Sequence, residues 1–478
     1  RAADMLCYGG PMAADAPPLS FEQAYPSYLR TSALDALRAR DYPLLDAHGC
    51  VYLDYTAANL YAASQIDRHQ AVLRGHIFGN PHSTSPTSSL ATDYMQRARR
   101  AVLGFFNASP DDWVVIFTAN ASQALKLVGE AYPFTADSRY LLTFDNHNSV
   151  NGIREFARAR GASTTYLPVL LPDMRVDGDH LARELAVTST NARHLFAYPA
   201  QSNFSGVHHP LEWIATAHAH GWDVLLDAAA FAPTNRLDLG RWSPDFVALS
   251  FYKIFGYPTG VGCLLARRRS LARLGRPWFA GGTITVASVQ GDKHYLVEGE
   301  SGFEDGTPDF LGLPAVEIGL QHIGAIGIDV IHERVRCLTG WLLHGLLALR
   351  HGNGRRLVRL YGPAGTDERG GVATFNLHDA EGRAVDHRMV EQRATAANIS
   401  LRTGCFCNPG GGEIALGLTG TELSSCFRQP EHETRLTIDD FRACIDGKST
   451  GAVRVSLGLV SNLADVERFV DFAKQFLD

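Results

Sequence analysis

Two short apolar runs that each lead to a polar residue constrain this chain more than any other feature of its sequence. Residues 224–226 are followed by Asp227, and residues 246–249 are followed by a segment that ends in Lys253. Short apolar runs of this kind are typical of buried parallel strands, and open α/β sheets bind ligands at the carboxyl ends of such strands. The sequence therefore predicts an α/β fold in which Asp227 and Lys253 meet at one end of one sheet.

An acid and a lysine in this arrangement suit pyridoxal 5′-phosphate. The lysine would form a Schiff base with the cofactor, and the carboxylate would keep the pyridine nitrogen protonated so that the ring accepts electrons. For either residue alone, a surface lysine or a strand-end carboxylate is the simpler interpretation. The pair, followed by Gly256, Gly260 and Gly262, favours the cofactor.

Composition limits the other classes of function. The chain has 478 residues, 45% of them hydrophobic, and a net charge of −6, which gives no reason to expect nucleic acid or a membrane surface as a partner. Eight cysteines are too few and too irregularly spaced for a disulfide framework, so reduced thiols are expected. Because there is neither a long apolar run nor a basic segment followed by an apolar one at the N-terminus, we predict a cytoplasmic protein.

The segment SFYKIFGYPTGVG at 250–262 resembles the lysine segment of the class V aminotransferase and cysteine desulfurase family. Its greatest likeness is to the N-terminal desulfurase domain of molybdenum cofactor sulfurases, and the similarity extends from about Tyr52 to the C-terminus. The resemblance implies a homodimeric, fold-type-I transferase that depends on pyridoxal phosphate. The expected parts are an N-terminal arm at 1–20, a large cofactor domain with a mostly parallel sheet at 60–325, and a smaller α+β domain at 21–59 and 326–478.

The resemblance also assigns cofactor contacts. Ala121 and Ser122 would hold the phosphate at the start of a helix, where free N–H groups and the helix dipole favour an anion. A plain N-cap is the simpler role for Ser122 alone. His147 would stack on the ring, although an isolated histidine at a strand end is more often an ordinary loop residue. Asn203 would bond the 3-hydroxyl of the cofactor.

Three further positions follow from the same resemblance. Ser250 and Tyr252 match the remaining phosphate contacts, and Ala57 matches a small residue that borders the substrate. The family often has glutamine or histidine three residues after the acid, whereas this chain has Ala230. That departure removes one hydrogen bond to the cofactor.

The second informative segment is SLRTGCFCNPG at 400–410, which places a cation beside two thiols. An arginine can bind an amino-acid carboxylate with its planar fork, and a nearby cation favours thiolate over thiol. By resemblance, Arg402 and Arg454 would hold the substrate carboxylate. Cys407, five residues after Arg402, would be the nucleophile, while Cys405 would be structural.

The direction of the side chains does not choose between the two thiols. In an extended loop, side chains at i and i+2 point the same way, so both thiols could reach the cleft. A zinc site is the competing interpretation of the C-x-C pattern. Because Cys426 and Cys444 supply no second closely spaced pair, no metal is predicted.

The predicted reaction removes sulfur from L-cysteine or a related amino acid. Lys253 would act as acid and base at the α-carbon, and Asp227 would stabilise negative charge through the ring. Cys407 would take the sulfur as a persulfide and pass it to an acceptor that the sequence does not identify. Two alternatives stay open: another pyridoxal phosphate reaction, such as β-elimination, selenocysteine lysis or transamination, and a non-catalytic sulfur carrier.

Overall fold

The computed structural model describes residues 20–189, 191–429, 435–437, 440–441, 444 and 450–478. The predicted N-terminal arm therefore lies outside the described residues, apart from Ser20. Among the described residues, no single helix is long and apolar enough to cross a membrane. One bent pair of helices, Leu313–Ile326 with Ile328–Ala348, meets that length and composition only when the two are taken together.

Helices and strands are interspersed along the described part of the chain. The α-helices are α1 (Phe21–Ala24), α2 (Ala33–Asp41), α3 (Pro43–Ala47), α4 (Ala63–Gly75), α5 (Pro86–Phe105), α6 (Ala121–Ala131), α7 (Asn148–Asn151), α8 (Ile153–Ala159), α9 (Gly178–Leu185), α10 (Trp213–Ala219), α11 (Phe251–Phe255), α12 (Arg268–Leu271), α13 (Leu313–Ile326), α14 (Ile328–Ala348), α15 (His387–Ala396), α16 (Pro409–Leu416), α17 (Gly420–Phe427) and α18 (Leu463–Lys474). Two 3-10 helices span Pro26–Thr31 and Glu300–Phe303.

The strands form one large sheet and several small ones. They are β1 (Val51–Tyr52), β2 (Trp113–Thr118), β3 (Arg139–Thr143), β4 (Ser163–Leu167), β5 (Val169–Leu170), β6 (Arg175–Val176), β7 (His194–Pro199), β8 (Trp222–Asp227), β9 (Phe246–Ser250), β10 (Gly262–Arg267), β11 (Ile284–Ser288), β12 (Lys293–Leu296), β13 (Val358–Tyr361), β14 (Val372–Leu377), β15 (Ile399–Ser400), β16 (Arg402–Gly404) and β17 (Ala452–Ser456).

The large sheet has seven strands in the order β2-β10-β9-β8-β7-β3-β4. All neighbours pair in parallel except β10, which runs antiparallel to both β2 and β9. Strands β7, β8 and β9 are buried along their whole length, as expected where helices cover both faces of a sheet. The predicted α/β fold with a large, mostly parallel sheet is confirmed, and Asp227 ends the strand beside the one that leads to Lys253.

The lysine lies on the single-turn helix α11, and Gly256 is the C-cap residue that follows this helix. Gly256 has a φ of 81°, and a β-carbon there would collide with the backbone of Leu60. Glycine therefore allows the turn after Lys253 to pack directly against the segment around Leu60.

A four-stranded sheet of order β13-β14-β17-β16 is built from the C-terminal part of the chain. N-terminal residues pack with this part: β1 pairs with β15, and Arg38 forms a buried ion pair with Asp465 at 2.5 Å. These contacts accord with a small domain built from both ends of the chain, but its exact bounds stay a prediction. Cys426 and Cys444 form a disulfide, so the expectation that the thiols are all reduced is wrong for this pair.

Candidate active site

A cavity of about 280 Å³ opens at the carboxyl ends of the strands of the large sheet. Strands β2, β3, β7, β8 and β9 all end at this edge, because the antiparallel strand β10 leaves β2 and β9 running in the same direction. Every residue predicted to contact the cofactor lines the cavity: Ala121, Ser122, His147, Asn203, Asp227, Ser250, Tyr252 and Lys253.

The amine of Lys253 has no hydrogen-bond partner among the described residues. Burial lowers the pKa of Lys253, while the carboxylate of Asp227 acts in the opposite direction. A lowered pKa increases the neutral, nucleophilic fraction of the amine near neutral pH. Asp227 is 8% exposed, and its Oδ1 accepts the N–H of Ala229 at 3.0 Å. The amine of Lys253 and the buried carboxylate of Asp227 thus both line the cavity.

The histidine on the cavity wall is held as a neutral ring. Nδ1 of His147 accepts the backbone N–H of Ser149 at 3.1 Å, which leaves the proton of the neutral ring on Nε2. Burial lowers the pKa of His147, and the charge of Lys253 lowers it further, against the attraction of Asp227. A neutral ring of this kind is suited to stacking on a flat cofactor.

The first turn of α6 is where the sequence predicts the phosphate site. Asn120 is the N-cap, since its side chain accepts the N–H of Gln123 at 3.0 Å, so the N-cap interpretation of Ser122 is wrong. Ser122 Oγ instead lies 2.6 Å from Ser149 Oγ. The N–H of Ala121 donates to Ser250 Oγ at 2.8 Å, which leaves the hydroxyl proton of Ser250 for another acceptor.

The segment that carries the two cysteines is a tight turn and not an extended loop. Phe406 and Cys407 have φ values of 56° and 55°, in the left-handed region. The carbonyl of Cys407 accepts the N–H of Asn148 at 2.7 Å, and the carbonyl of Phe406 accepts Nδ2 of Asn203 at 2.8 Å. The expectation of an extended loop is therefore wrong, because contacts with residues after β3 and β7 fold the segment back.

Around this turn, Phe406 is buried while Cys405 and Cys407 are exposed. Asn408 stabilises the turn by donating to the Asp145 carbonyl at 2.6 Å and to Oδ1 of Asn203 at 2.8 Å. Both ends of the Asn203 amide are consequently engaged by the turn that carries the cysteines.

The two predicted substrate arginines lie side by side on neighbouring strands of the small sheet. Arg402 and Arg454 are direct partners in the antiparallel pair β16 and β17, so their side chains lie on the same face. One carboxylate joins them: Asp54 is 2.7 Å from Arg402 and 3.3 Å from Arg454. No sequence motif indicates Asp54. Like Asp227 at the end of β8, however, it is an acidic residue at the end of a strand, two residues after β1.

The environments of the two arginines differ. Arg454 is buried, and its guanidinium lies over the Phe406 ring at 4.6 Å and donates to the Asn203 carbonyl at 2.9 Å. Burial lowers the pKa of Arg454 to about 10, against the attraction of Asp54, so the side chain stays charged near neutral pH. The side chain of Arg402 is about half exposed, and its hydrogen bonds to Asp54 raise its pKa.

Ala57 does not line the cofactor cavity. It closes a turn just after Asp54, with its N–H donating to the Asp54 carbonyl at 3.0 Å. The neighbouring Asn59 donates its N–H to the carbonyl of Tyr252 at 3.1 Å, which holds this turn against the lysine helix. The role of Ala57 as a border of the substrate stays a prediction.

Sequence reasoning overlooked Gln201, Asn120 and Thr259, which also line the cavity. Gln201 stands just before the S-N-x-x-G pattern of the family, in which the asparagine, Asn203, is assigned the cofactor contact. Within the described ranges, no group of three histidine, cysteine, aspartate or glutamate side chains could hold a metal ion.

The arrangement matches the parts of pyridoxal phosphate. An amine, a buried carboxylate and the start of a helix surround one cavity, as the aldehyde, the ring nitrogen and the phosphate of the cofactor require. Fold and site together define the fold-type-I class of pyridoxal-phosphate-dependent transferases. The chain belongs to the aminotransferase class-V family, whose model matches residues 51–469. The family predicted from the sequence is thereby confirmed.

The chain is similar in sequence to several molybdenum cofactor sulfurases. It is similar to the molybdenum cofactor sulfurase of Solanum lycopersicum, 37% identical over 471 residues that cover 92% of this chain and 57% of that protein. The molybdenum cofactor sulfurase of Homo sapiens is 36% identical over 466 residues, covering 92% of this chain and 51% of that protein. The chain thus spans little more than half the length of these curated relatives.

A solved structure shares the fold. The apo structure of a cysteine desulfurase from Thermococcus onnurineus NA1 matches with a TM-score of 0.74 and 23% sequence identity. The match covers 92% of this chain and 97% of that one.

Proposed function

We propose that this chain is a pyridoxal-phosphate-dependent cysteine desulfurase that carries sulfur as a persulfide on Cys407. One observation supports the proposal most directly: the turn that holds Cys407 is bonded to Asn148 and Asn203, which flank the cavity of Lys253. Burial has the largest effect on the pKa of Lys253 and lowers it, whereas a negative charge on Cys407 would raise it. These contacts support a reaction in which Cys407 and Lys253 act on the same substrate.

Pyridoxal phosphate, when bound, would supply an electron sink for charge that develops at the α-carbon of the substrate. The residues of the chain do the rest. Lys253 would hold the cofactor and move the proton at the α-carbon, Asp227 would hold a proton at the ring nitrogen, and the neutral ring of His147 would pack against the cofactor ring.

The sulfur step uses the Cys407 thiolate. Its sulfur forms an S–S bond to the substrate sulfur while the carbon–sulfur bond of the substrate breaks. The electron pair of that bond returns to the β-carbon, which takes up a proton so that alanine leaves. The outer sulfur stays on Cys407 as a persulfide, and no external oxidant is needed.

The products formed from L-cysteine test this proposal against other reactions of the same cofactor. We expect alanine in equal amount to the sulfur released, with faster turnover when a thiol reductant discharges the persulfide. Amino-acid analysis and a sulfide assay measure both products. Pyruvate and ammonia would identify β-elimination, and no turnover by protein loaded with cofactor would favour a sulfur carrier.

The arginine pair gives a prediction about substrate binding. Replacing either Arg402 or Arg454 with alanine should raise the KM for L-cysteine by about 10- to 100-fold, because the substrate carboxylate then has one charge-assisted hydrogen-bond donor fewer. Cofactor content should stay unchanged, since neither arginine lines the cofactor cavity. Steady-state kinetics and the visible absorbance of the purified protein provide the two measurements.

Thr403→Ala is the matched control for the arginine variants. Thr403 lies on the same strand, but its hydroxyl donates to Glu391 at 2.7 Å, away from Asp54. This variant should keep the normal KM. An unchanged KM in both arginine variants would remove the arginines from the substrate site.

We further propose that two copies of the chain assemble and that the protein works in the cytoplasm. The hairpin of β11 and β12 exposes Val286, Val289 and Tyr295, and Trp278 is about half exposed just before it. Exposed apolar side chains grouped in this way are typical of an interface.

Light scattering of the purified protein should give the mass of two chains, and a monomer would contradict this part of the proposal. The sulfur acceptor would be a group that can take the outer sulfur of a persulfide.

A further inference from the structure

Gln201 occupies a position in the cofactor cavity that no motif explains. It lies just after β7, is 3% exposed, and lines the cavity beside Asp227 and Ala230. Ala230 stands where the resemblance expects a glutamine or histidine that bonds the cofactor, so that position offers no hydrogen bond. The side chain of Gln201 is a polar group on the same wall.

The orientation of the Gln201 amide follows from its neighbour Asn235. Nδ2 of Asn235 donates to the carbonyl of Phe231 at 3.0 Å. Because a carbonyl oxygen can only accept, the Asn235 atom that faces it must be the NH2 group. The same NH2 group faces Gln201 at 3.3 Å, so the Gln201 atom on that side is the acceptor Oε1.

Two histidines complete this fixed arrangement. Nε2 of His208 lies 3.0 Å from Oε1 of Gln201 and must therefore donate to it. Burial lowers the pKa of His208 to about 3, so the ring is neutral and its one proton lies on Nε2. Nδ1 of His332 lies 3.0 Å from Oδ1 of Asn235, which holds the far side of that amide.

Packing also keeps the glutamine in place. A β-carbon at position 370 would collide with Oε1 of Gln201 and lie 2.8 Å from its Nε2, so Gly370 provides the room in which this amide lies. With Oε1 bonded to His208 and Asn235, the NH2 group is the donor that this side chain has left. No described residue accepts a hydrogen bond from it, and Gln201 lines both the cofactor cavity and a smaller cavity beside it.

Asn203, the residue predicted to contact the 3-oxygen, has both ends of its amide bonded to the turn that carries the cysteines. Nδ2 of Asn203 donates to the Phe406 carbonyl, and its Oδ1 accepts from Asn408. If Lys253 takes the aldehyde, Asp227 the ring nitrogen and α6 the phosphate, the polar group of pyridoxal phosphate that stays without a partner is its 3-oxygen.

We propose that Gln201 donates a hydrogen bond to the 3-oxygen of pyridoxal phosphate, a bond that Ala230 cannot make and that was predicted for Asn203. The inference rests on the proposed function, because it takes pyridoxal phosphate as the occupant of the cavity. His208 and Asn235 are positioning residues that keep the donor side of the amide toward the cofactor. They act through Gln201.

Gln201→Met tests this hydrogen bond, because methionine has a similar length and no donor. Wild-type and variant proteins, both stripped of cofactor, are titrated with pyridoxal phosphate and with its 3-deoxy analogue, and tryptophan fluorescence reports binding. We expect the variant to bind pyridoxal phosphate about tenfold or more weakly, the loss of a hydrogen bond to a charged oxygen. Removal of the 3-oxygen should then weaken binding about tenfold less in the variant than in the wild type.

The same cycle is run on Gln201→Glu and Asn203→Ala. Glutamate keeps the acceptor for Asn235 but presents no NH2 group, so it also should lose the preference for the 3-oxygen, even if the methionine variant does not fold. Asn203→Ala should keep that preference. The inference is overturned if the penalty for removing the 3-oxygen is equal in wild type and both Gln201 variants, or if it disappears in Asn203→Ala instead. Failure of the wild-type protein to bind pyridoxal phosphate would overturn the proposed function itself.

Discussion

Lys253→Ala should leave a protein that holds no covalently attached cofactor and turns over L-cysteine at least about a thousandfold more slowly, a loss in the range for a general acid–base group. The reason is the double use of this side chain, which would both attach the cofactor and move the proton at the α-carbon. The amine is well placed for the first role, since burial lowers its pKa and no described side chain occupies it.

Borohydride reduction followed by peptide mass spectrometry locates the attachment. Wild-type protein should carry the reduced cofactor on Lys253 alone. Lys126→Ala is the matched control, because Lys126 lines the neighbouring cavity and pairs with Glu130 at 3.1 Å. Cofactor found on Lys126, or full turnover by Lys253→Ala, would show that the architecture of the site is misassigned.

Cys407→Ser should abolish persulfide formation and reduce desulfuration by about a hundredfold or more, because a serine hydroxyl is a poor nucleophile toward sulfur. Cofactor binding should be unaffected, since it depends on Lys253, Asp227 and the start of α6. Alkylation of the persulfide and mass spectrometry after a single turnover measure the product on the enzyme directly.

Cys405→Ser is the control that the chain itself provides. Both thiols are exposed, but the backbone of Cys407 is anchored by Asn148, next to the cavity residue His147. We therefore expect Cys405→Ser to keep most of the activity. The reverse pattern would transfer the role to Cys405, and full activity of the double variant would mean that no enzyme persulfide is formed.

The elements around the cofactor can be predicted from the sequence because they depend on short-range patterns. The apolar run at 224–226 lies in β8, which ends at Asp227, and the run at 246–249 that leads to Lys253 corresponds to β9, which ends at Ser250. Buried strands of a parallel sheet are continuous apolar runs, and each site residue follows such a run closely. The large sheet alone then brings these residues to one edge.

The parts that sequence reasoning missed depend on contacts between distant segments. The left-handed turn at Phe406 and Cys407 is held by Asn203 and Asn148, which lie about 200 residues or more earlier in the chain. The disulfide between Cys426 and Cys444 likewise depends on the path of the chain between them. Patterns of spacing within one segment carry no information about such partners.

Asp54 limits the kind of amino acid that the arginine pair can accept. Two guanidinium groups and one carboxylate leave a single net positive charge at this place. One carboxylate of an incoming amino acid balances that charge. A second carboxylate, as in aspartate or glutamate, would meet no free cation there and would be repelled by Asp54. If the arginine pair binds the substrate carboxylate, the internal aspartate would disfavour amino acids with a second carboxylate, by charge balance and without any contact to the side chain.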